Sequence, residues 1–244
     1  IVNGDDELLY KFRESTGYPY VLYGTKEYCD YRAEDIHMEN GHYAFTFVHN
    51  EMRVPVVLSV LGQHNVLNAT AALAAAHLNG VDVTLAAKSL YTFTGFQNRL
   101  QIMDVKDYKV IDDTYNASPD SMKASVSVLS SMEGVKGRRI AALADMLELG
   151  EKEREYHYEV GKFIAGTQVD EVAAYGELSE EILKGVEDNN ERIVVKHFES
   201  RDALKDYLLT YVHPDDVLLL KASNGMKLKE IAEAFLQNEK KVLK

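Results

Sequence analysis

The 244-residue sequence predicts an α/β fold. A doubly wound, Rossmann-like, mainly parallel sheet forms its later part, preceded by a smaller mixed α/β portion. Three observations carry this. From about residue 105, short apolar segments alternate with helix-like ones five times. Those apolar segments are continuous rather than alternating, as in strands buried on both faces. The first 60 residues instead hold half-alternating runs rich in Val, Tyr, Phe and Thr, as mixed sheets do.

In order, residues 5–15 read as a helix capped by Asp5 or Asp6. Strands follow over 18–24, 33–39, 42–49 and 53–60, with a hairpin turn at "ENG", 39–41. "LGQHNVLNATAALAAAHLNGV" predicts a helix, with Leu67, Ala71, Ala74 and Leu78 as its apolar stripe and Gly80 as its stop. A second helix covers about 83–90. The texture changes after Gln97, which puts a domain boundary near 100–106, hence domains of 1–100 and 101–244. The five strand-helix units then open on "YKVID", "RRIAAL", "EVAAYG", "RIVVKHF" and "DVLLLKAS". In such sheets ligands sit at the carboxyl ends of the strands.

Composition excludes several roles. The net charge is -12, a poor match for nucleic acid or anionic lipid. The single cysteine, Cys29, has no partner for an internal disulfide or a cysteine zinc site, and a reducing compartment is expected. The most apolar run, 69–78, is about half of the ~20 residues a membrane helix needs. The chain opens on Ile in mid-motif, without a basic leader, so a fragment or processed product is expected. Phosphate-loop, dinucleotide, H-E-x-x-H and G-x-S-x-G motifs are absent from it.

Five stretches carry candidate chemistry. In "KVIDDTYNASPDSM" (109–122), Ser118, Pro119 and Asp120 suit a helix start. Asp112, Asp113, Tyr115 and Asn116 are not explained that way. Adjacent carboxylates at a strand end repel unless a cation or hydroxyl-rich ligand is near. "GQHNVLN" places Asn65 and Asn68 on one side of a helix start, suited to an adenine edge or to capping. In "FQNRLQ", Arg99 at the domain junction suits a phosphate or a surface ion pair. Asp145 and Glu148 of "LADMLELG" line a sheet edge or cap the next segment. "KASNGMKL" ends the last strand on Lys221 and Ser223, where a lysine often snorkels.

Taken in order, "VNGDD" (2–6), "LGQHNVLNATAALAAA" (61–76), "NRLQ" (98–101), "DDTYNASPDSM" (112–122), "LADMLELG" (143–150) and "KASNGMKL" (221–228) resemble the Mur ligase family of peptidoglycan synthesis. The 112–122 turn is most similar to the branch that adds D-Ala-D-Ala to UDP-MurNAc-tripeptide. The resemblance implies the last part of an ATP-binding central domain over 1–100 and a Rossmann-like C-terminal domain over 101–244. It implies a cytoplasmic, monomeric, ATP- and Mg²⁺-dependent amide ligase working through an acyl phosphate, without nucleic acid or membrane insertion. Its phosphate loop, Mg²⁺ ligands and carbamylated lysine would lie upstream of Ile1, so this chain alone is expected to be inactive and to hold no catalytic or metal residue. Asn3, Asn65 and Asn68 would approach the adenine side of ATP, Arg99 the ribose or phosphates, and Asp113 the ribose as the C-terminal domain closes. Tyr115 and Asn116 would face the incoming dipeptide, with Ser223 nearby as a further substrate-binding residue. Three positions depart from the family pattern. Asn98 replaces the usual glycine and still tolerates positive φ. Ala144 replaces a glycine, and Asn224 replaces an arginine, which removes a cation near the dipeptide. The residues alone also admit a receiver-like or nucleotide-binding α/β module with Asp112 and Asp113 as a Mg²⁺ or phosphoacceptor pair, or a folylpolyglutamate synthase-type ligase.

Overall fold

Segments with different hydrophobic patterns fold separately, and the chain divides after Gly95. The computed structural model describes residues 1–242, with side chains through residue 237. The division precedes the expected 100 because residues 98–100 are hydrogen-bonded to residues 112–115 of the later unit.

The first unit contains β1 (Val2–Asn3), α1 (Glu7–Phe12), β2 (Leu22–Gly24), β3 (Tyr31–Glu39), β4 (His42–His49), β5 (Met52–Val57), α2 (His64–Leu78) and α3 (Val83–Thr92). Its sheet runs β1-β2-β3-β4-β5, parallel up to β3 and antiparallel beyond. Glu39 pairs with His42, and Asn40 and Gly41 both take positive φ, which makes the two-residue turn expected at "ENG". Asp6 caps α1 by accepting from Leu8 and Leu9 N–H. Asp5 instead accepts from the backbone and hydroxyl of Thr25.

The α2 stripe differs from the expected one. The buried residues are Val66, Ala69, Thr70, Leu73 and Ala74, whereas Leu78 is 52% exposed and Leu67 and Ala71 are half-buried. Alanines surround this helix, so small apolar residues do not single out a face. The bulkier Val66 and Leu73 do, by packing with Phe45, Phe47 and Val56. Thr70 is tolerated in that face because its hydroxyl donates to Val66 O at 2.7 Å.

The second unit contains β6 (Gln101–Val105), β7 (Tyr108–Asp113), α4 (Pro119–Ser131), β8 (Arg139–Ala144), α5 (Glu153–Ala165), β9 (Glu171–Tyr175), α6 (Ser179–Glu187), β10 (Val194–Phe198), α7 (Arg201–Tyr211), β11 (Val217–Lys221) and α8 (Lys229–Val242). The five predicted strand-helix units are all present. The sheet order is β10-β9-β8-β11-β7-β6, parallel except for β6. The sequence assigns no strand to β6, which falls in the expected boundary zone and, with exposed Gln101 and Asp104 among its residues, lacks a continuous apolar run.

From β7 the chain steps toward β10 and then returns to insert β11 between β8 and β7. Right-handed crossovers therefore put α4, α5 and α6 on one face and α7 and α8 on the other. Leu204, Leu208, Ile231 and Phe235 cover Val110, Ile140, Ala142, Leu218 and Leu220 on the second face. The reversal in strand order lies at β8, β11 and β7. Their carboxyl ends form a topological switch point, where open α/β sheets bind ligands.

Candidate functional site

The carboxyl ends of β7 and β11 meet in register, with Lys221 opposite Asp113. Alternation along β7 sends the two carboxylates to different partners. Asp112 Oδ1 accepts from Thr114 N–H and Oγ1 at 3.1 and 2.7 Å, and Oδ2 accepts from Asn98 Nδ2 at 2.7 Å. Asp113 Oδ1 accepts from Leu100 N–H at 3.2 Å, and Oδ2 accepts from Ser125 Oγ and from Lys221 Nζ at 2.6 Å. Both carboxylates are buried. The repulsion expected from the sequence is thus relieved inside the unit, by one cation and several neutral donors.

Lys221 does not snorkel. It is 1% exposed, and its ammonium also donates to Asn116 O at 3.0 Å. The chain around it explains why: "VLLLK" is a central strand buried throughout, so the lysine has no route to water. Burial pushes its pKa down, and the Asp113 carboxylate partly offsets this. One ammonium therefore ties the end of β11 to both the start and the end of the Asp113–Asn116 turn.

That turn displays Tyr115 and Asn116 as exposed residues. The Arg99 guanidinium stacks on the Tyr115 ring, 4.1 Å from its centroid. Arg99 is also exposed. Asn98, the departure expected to tolerate positive φ, has φ 60°, and Leu100 has φ 46°. Ser118 and Ser121 close a capping box at the start of α4, with Pro119 in its first turn.

Ser223 lies beside this turn in the chain's order of strand ends, after β11. It is 4% exposed, and its hydroxyl accepts from Leu147 N–H at 2.9 Å, while its own N–H donates to Asp145 O. Asp145 caps the following βα unit rather than its own, accepting from Ser179 N–H at 2.7 Å. Burial pushes the Asp145 carboxyl up, and backbone donors of Ser179 and Leu178 pull it back only in part. The buried His157 accepts from Met146 N–H through Nε2 at 2.9 Å and donates from Nδ1 to Glu153 O. The loop after β8 is thereby fastened to the start of α6, the end of β11 and α5 at once. Sequence reading misses His157, although its spacing to the buried Val160 and Ile164 marks a core face.

The remaining candidates belong to the first unit. Asn3 Oδ1 accepts from Asp5 N–H at 3.0 Å. Asn65 Nδ2 donates to Leu61 O at 2.6 Å, and Asn68 Nδ2 donates to Asn65 Oδ1 at 2.9 Å. The pair three residues apart is therefore one bonded amide couple, with Asn68 exposed. Close by in sequence, Asp5, Thr25, Ile36, Gln63, His64, Val66 and Leu67 line an open groove of about 360 Å³ at the start of α2. Among the described residues, no three His, Cys, Asp or Glu side chains converge as a metal-binding group. No helix among them is long and apolar enough to cross a membrane.

Comparison with known proteins places these features. A model of the Mur ligase middle domain matches residues 1–76, and a model of the Mur ligase glutamate ligase domain matches residues 98–224. A UDP-N-acetylmuramoyl-tripeptide–D-alanyl-D-alanine ligase of Bacillus subtilis is 35% identical over 88% of this chain and 47% of its own length. The Escherichia coli protein of the same name is 29% identical over 86% of this chain and 45% of its own. Among solved structures, MurF from Acinetobacter baumannii matches 95% of the chain and 50% of its own, with TM-score 0.81 and 25% identity. MurF ligase from Thermotoga maritima in complex with ADP matches 98% and 53%, with TM-score 0.78 and 26% identity. The chain thus spans about half the length of the relatives it matches.

Proposed function

Because the chain belongs to the Mur ligase family, we propose that it is part of a cytoplasmic, ATP-dependent ligase that adds D-Ala-D-Ala to UDP-MurNAc-tripeptide during peptidoglycan synthesis. The carrying observation is the Asp112–Asn116 turn, fixed at the switch point of the second unit by Lys221 and displaying Arg99, Tyr115 and Asn116. The B. subtilis and E. coli relatives bear the name of that activity, and the T. maritima structure is a complex with ADP.

In this reading the tripeptide carboxylate takes the γ-phosphoryl group of ATP, and the dipeptide amine then displaces phosphate to form the amide. This chain's residues bind and orient. Asn3, Asn65 and Asn68 serve the adenine side, with the bonded Asn65–Asn68 couple at the start of α2 next in sequence to the groove residues Gln63, His64, Val66 and Leu67. Arg99 meets the phosphates or ribose, as an exposed guanidinium can. Asp113 acts at the ribose side, and its present bonds to Leu100, Ser125 and Lys221 fix where it stands. Tyr115 and Asn116 face the dipeptide, with Ser223 nearby, buried and holding Leu147 N–H. Mg²⁺ has no ligand set among the described residues. The intact protein works as a monomer.

The test is a chimera in which this chain replaces the matching part of the B. subtilis relative. Phosphate release with UDP-MurNAc-tripeptide and Mg-ATP should depend on D-Ala-D-Ala, and this chain alone should release none. Equal turnover with L-Ala in place of the dipeptide refutes the substrate reading. Turnover by the unfused chain refutes the claim that the phosphate-handling groups lie outside it.

A further inference from the structure

The segment Asn98–Leu100 has an unusual construction. Arg99 stands between two non-glycine residues that both hold left-handed backbone, φ 60° at Asn98 and φ 46° at Leu100. Such conformations are disfavoured for a leucine and persist only where the surroundings over-determine them. Here the surroundings are the adjacent carboxylates. Asp112 Oδ2 accepts from Asn98 Nδ2 at 2.7 Å, and Asp113 Oδ1 accepts from Leu100 N–H at 3.2 Å. A third bond, Tyr115 N–H to Asn98 O at 3.0 Å, closes the arrangement from the other side of the turn. The residue between these anchors lays its guanidinium on the ring of that same Tyr115. Arg99 adds a backbone bond of its own, its N–H donating to Phe96 O at 3.3 Å, while the carboxylate anchors lie on its neighbours Asn98 and Leu100.

We propose that Asp112 and Asp113 are positioning residues for Arg99, clamping the strained segment so that its guanidinium is held ready on Tyr115. This deepens the reading of Arg99 as a phosphate or ribose contact and rests on it. Two adjacent carboxylates are needed because they project to opposite sides of β7 and so grip the segment on either side of the arginine. Buried Lys221 and Ser125 hold Asp113 in place, and Thr114 holds Asp112. A preset guanidinium loses less freedom on meeting an anion than a mobile one.

NMR of the 244-residue chain reads the stack directly, because Arg99 side-chain protons beneath the Tyr115 ring are displaced upfield. Tyr115→Leu supplies the unstacked reference. Titration with inorganic pyrophosphate reads anion binding at Arg99. Asp112→Ala should move the Arg99 protons to their reference positions and weaken pyrophosphate binding about tenfold, as Arg99→Ala does, with the double variant no weaker. Removing a negative charge would by itself strengthen anion binding, so the predicted change has the opposite sign. Asn98→Ala removes the donor and leaves the carboxylate in place, and should shift the same protons even where Asp112→Ala fails to fold. Variants that lose stability while Arg99 keeps its wild-type shifts overturn the proposal in favour of a purely structural role. Wild-type protein indifferent to pyrophosphate refutes the anion reading of Arg99, and the shift measurement still decides the clamp.

Discussion

Replacing Lys221 with methionine tests the internal relief of charge at the switch point. Methionine keeps the apolar stem and removes the ammonium, so little cavity results. Asp113 is left 8% exposed with neutral donors alone, Ser125 Oγ and Leu100 N–H. Removing one partner of a buried pair costs about 3–5 kcal/mol, because an uncompensated charge remains. The two surviving hydrogen bonds to the carboxylate put the expected loss at the low end, about 3 kcal/mol. With a urea slope of about 2 kcal/mol/M, the midpoint of the second unit should fall by about 1.5 M. Far-UV circular dichroism follows the transition, and amide exchange of β7 and β11 assigns it to the second unit. Asp113→Asn in the same chain should restore at least half of the loss, since the stranded charge is then gone. A loss below about 1 kcal/mol refutes the account, as does a double variant no more stable than the single one.

Ser118→Ala should cost only about 0.5 kcal/mol, the low end for a cap, because Ser121 N–H reaches Ser118 Oγ at a long 3.4 Å; chemical denaturation that shows a loss above about 2 kcal/mol contradicts this. Gly161→Ala should lower the melting temperature by about 4–8 °C, as overpacking outweighs the gain in helix propensity. A Cβ there would lie 1.9 Å from Ile182 O, where α5 and α6 touch, and an unchanged melting temperature refutes that close approach. Burial pushes the Asp216 carboxyl up, but Arg138 and the backbone donors of Arg138 and His213 outweigh it and hold it below the usual range. A depressed carboxyl contributes stability above its unfolded pKa of about 3.9, which is lost as pH falls through the folded value. Asp216→Asn should therefore destabilise the chain at pH 7 and flatten its acid limb below about pH 4, measured by melting temperature against pH.

Legible in the chain itself were the five strand-helix units, the "ENG" hairpin, a cap of α1 at Asp5 or Asp6, which the structure resolves to Asp6, and the capped start of α4. Each is written in neighbouring residues, through side-chain period, turn chemistry or a cap within three or four positions. It also singled out the 112–116 turn and Arg99, and its ordered motifs carried the family resemblance. Its apolar stripe on α2 failed because an alanine-rich helix is nearly uniform around its axis, and Phe45, Phe47 and Val56 select the buried side. The two aspartates looked like an unbalanced pair needing an outside cation. Only the tertiary structure supplied Lys221, 108 residues later, by inserting β11 between β8 and β7 in the register that sets it opposite Asp113. The same holds for Asn98 on Asp112, Ser223 on Leu147 and His157 on Met146. Local pattern reflects which faces are apolar, and that is encoded residue by residue. Strand order and register are set by the lowest free energy of the whole sheet and its helices, and they decide which polar groups meet when water is excluded.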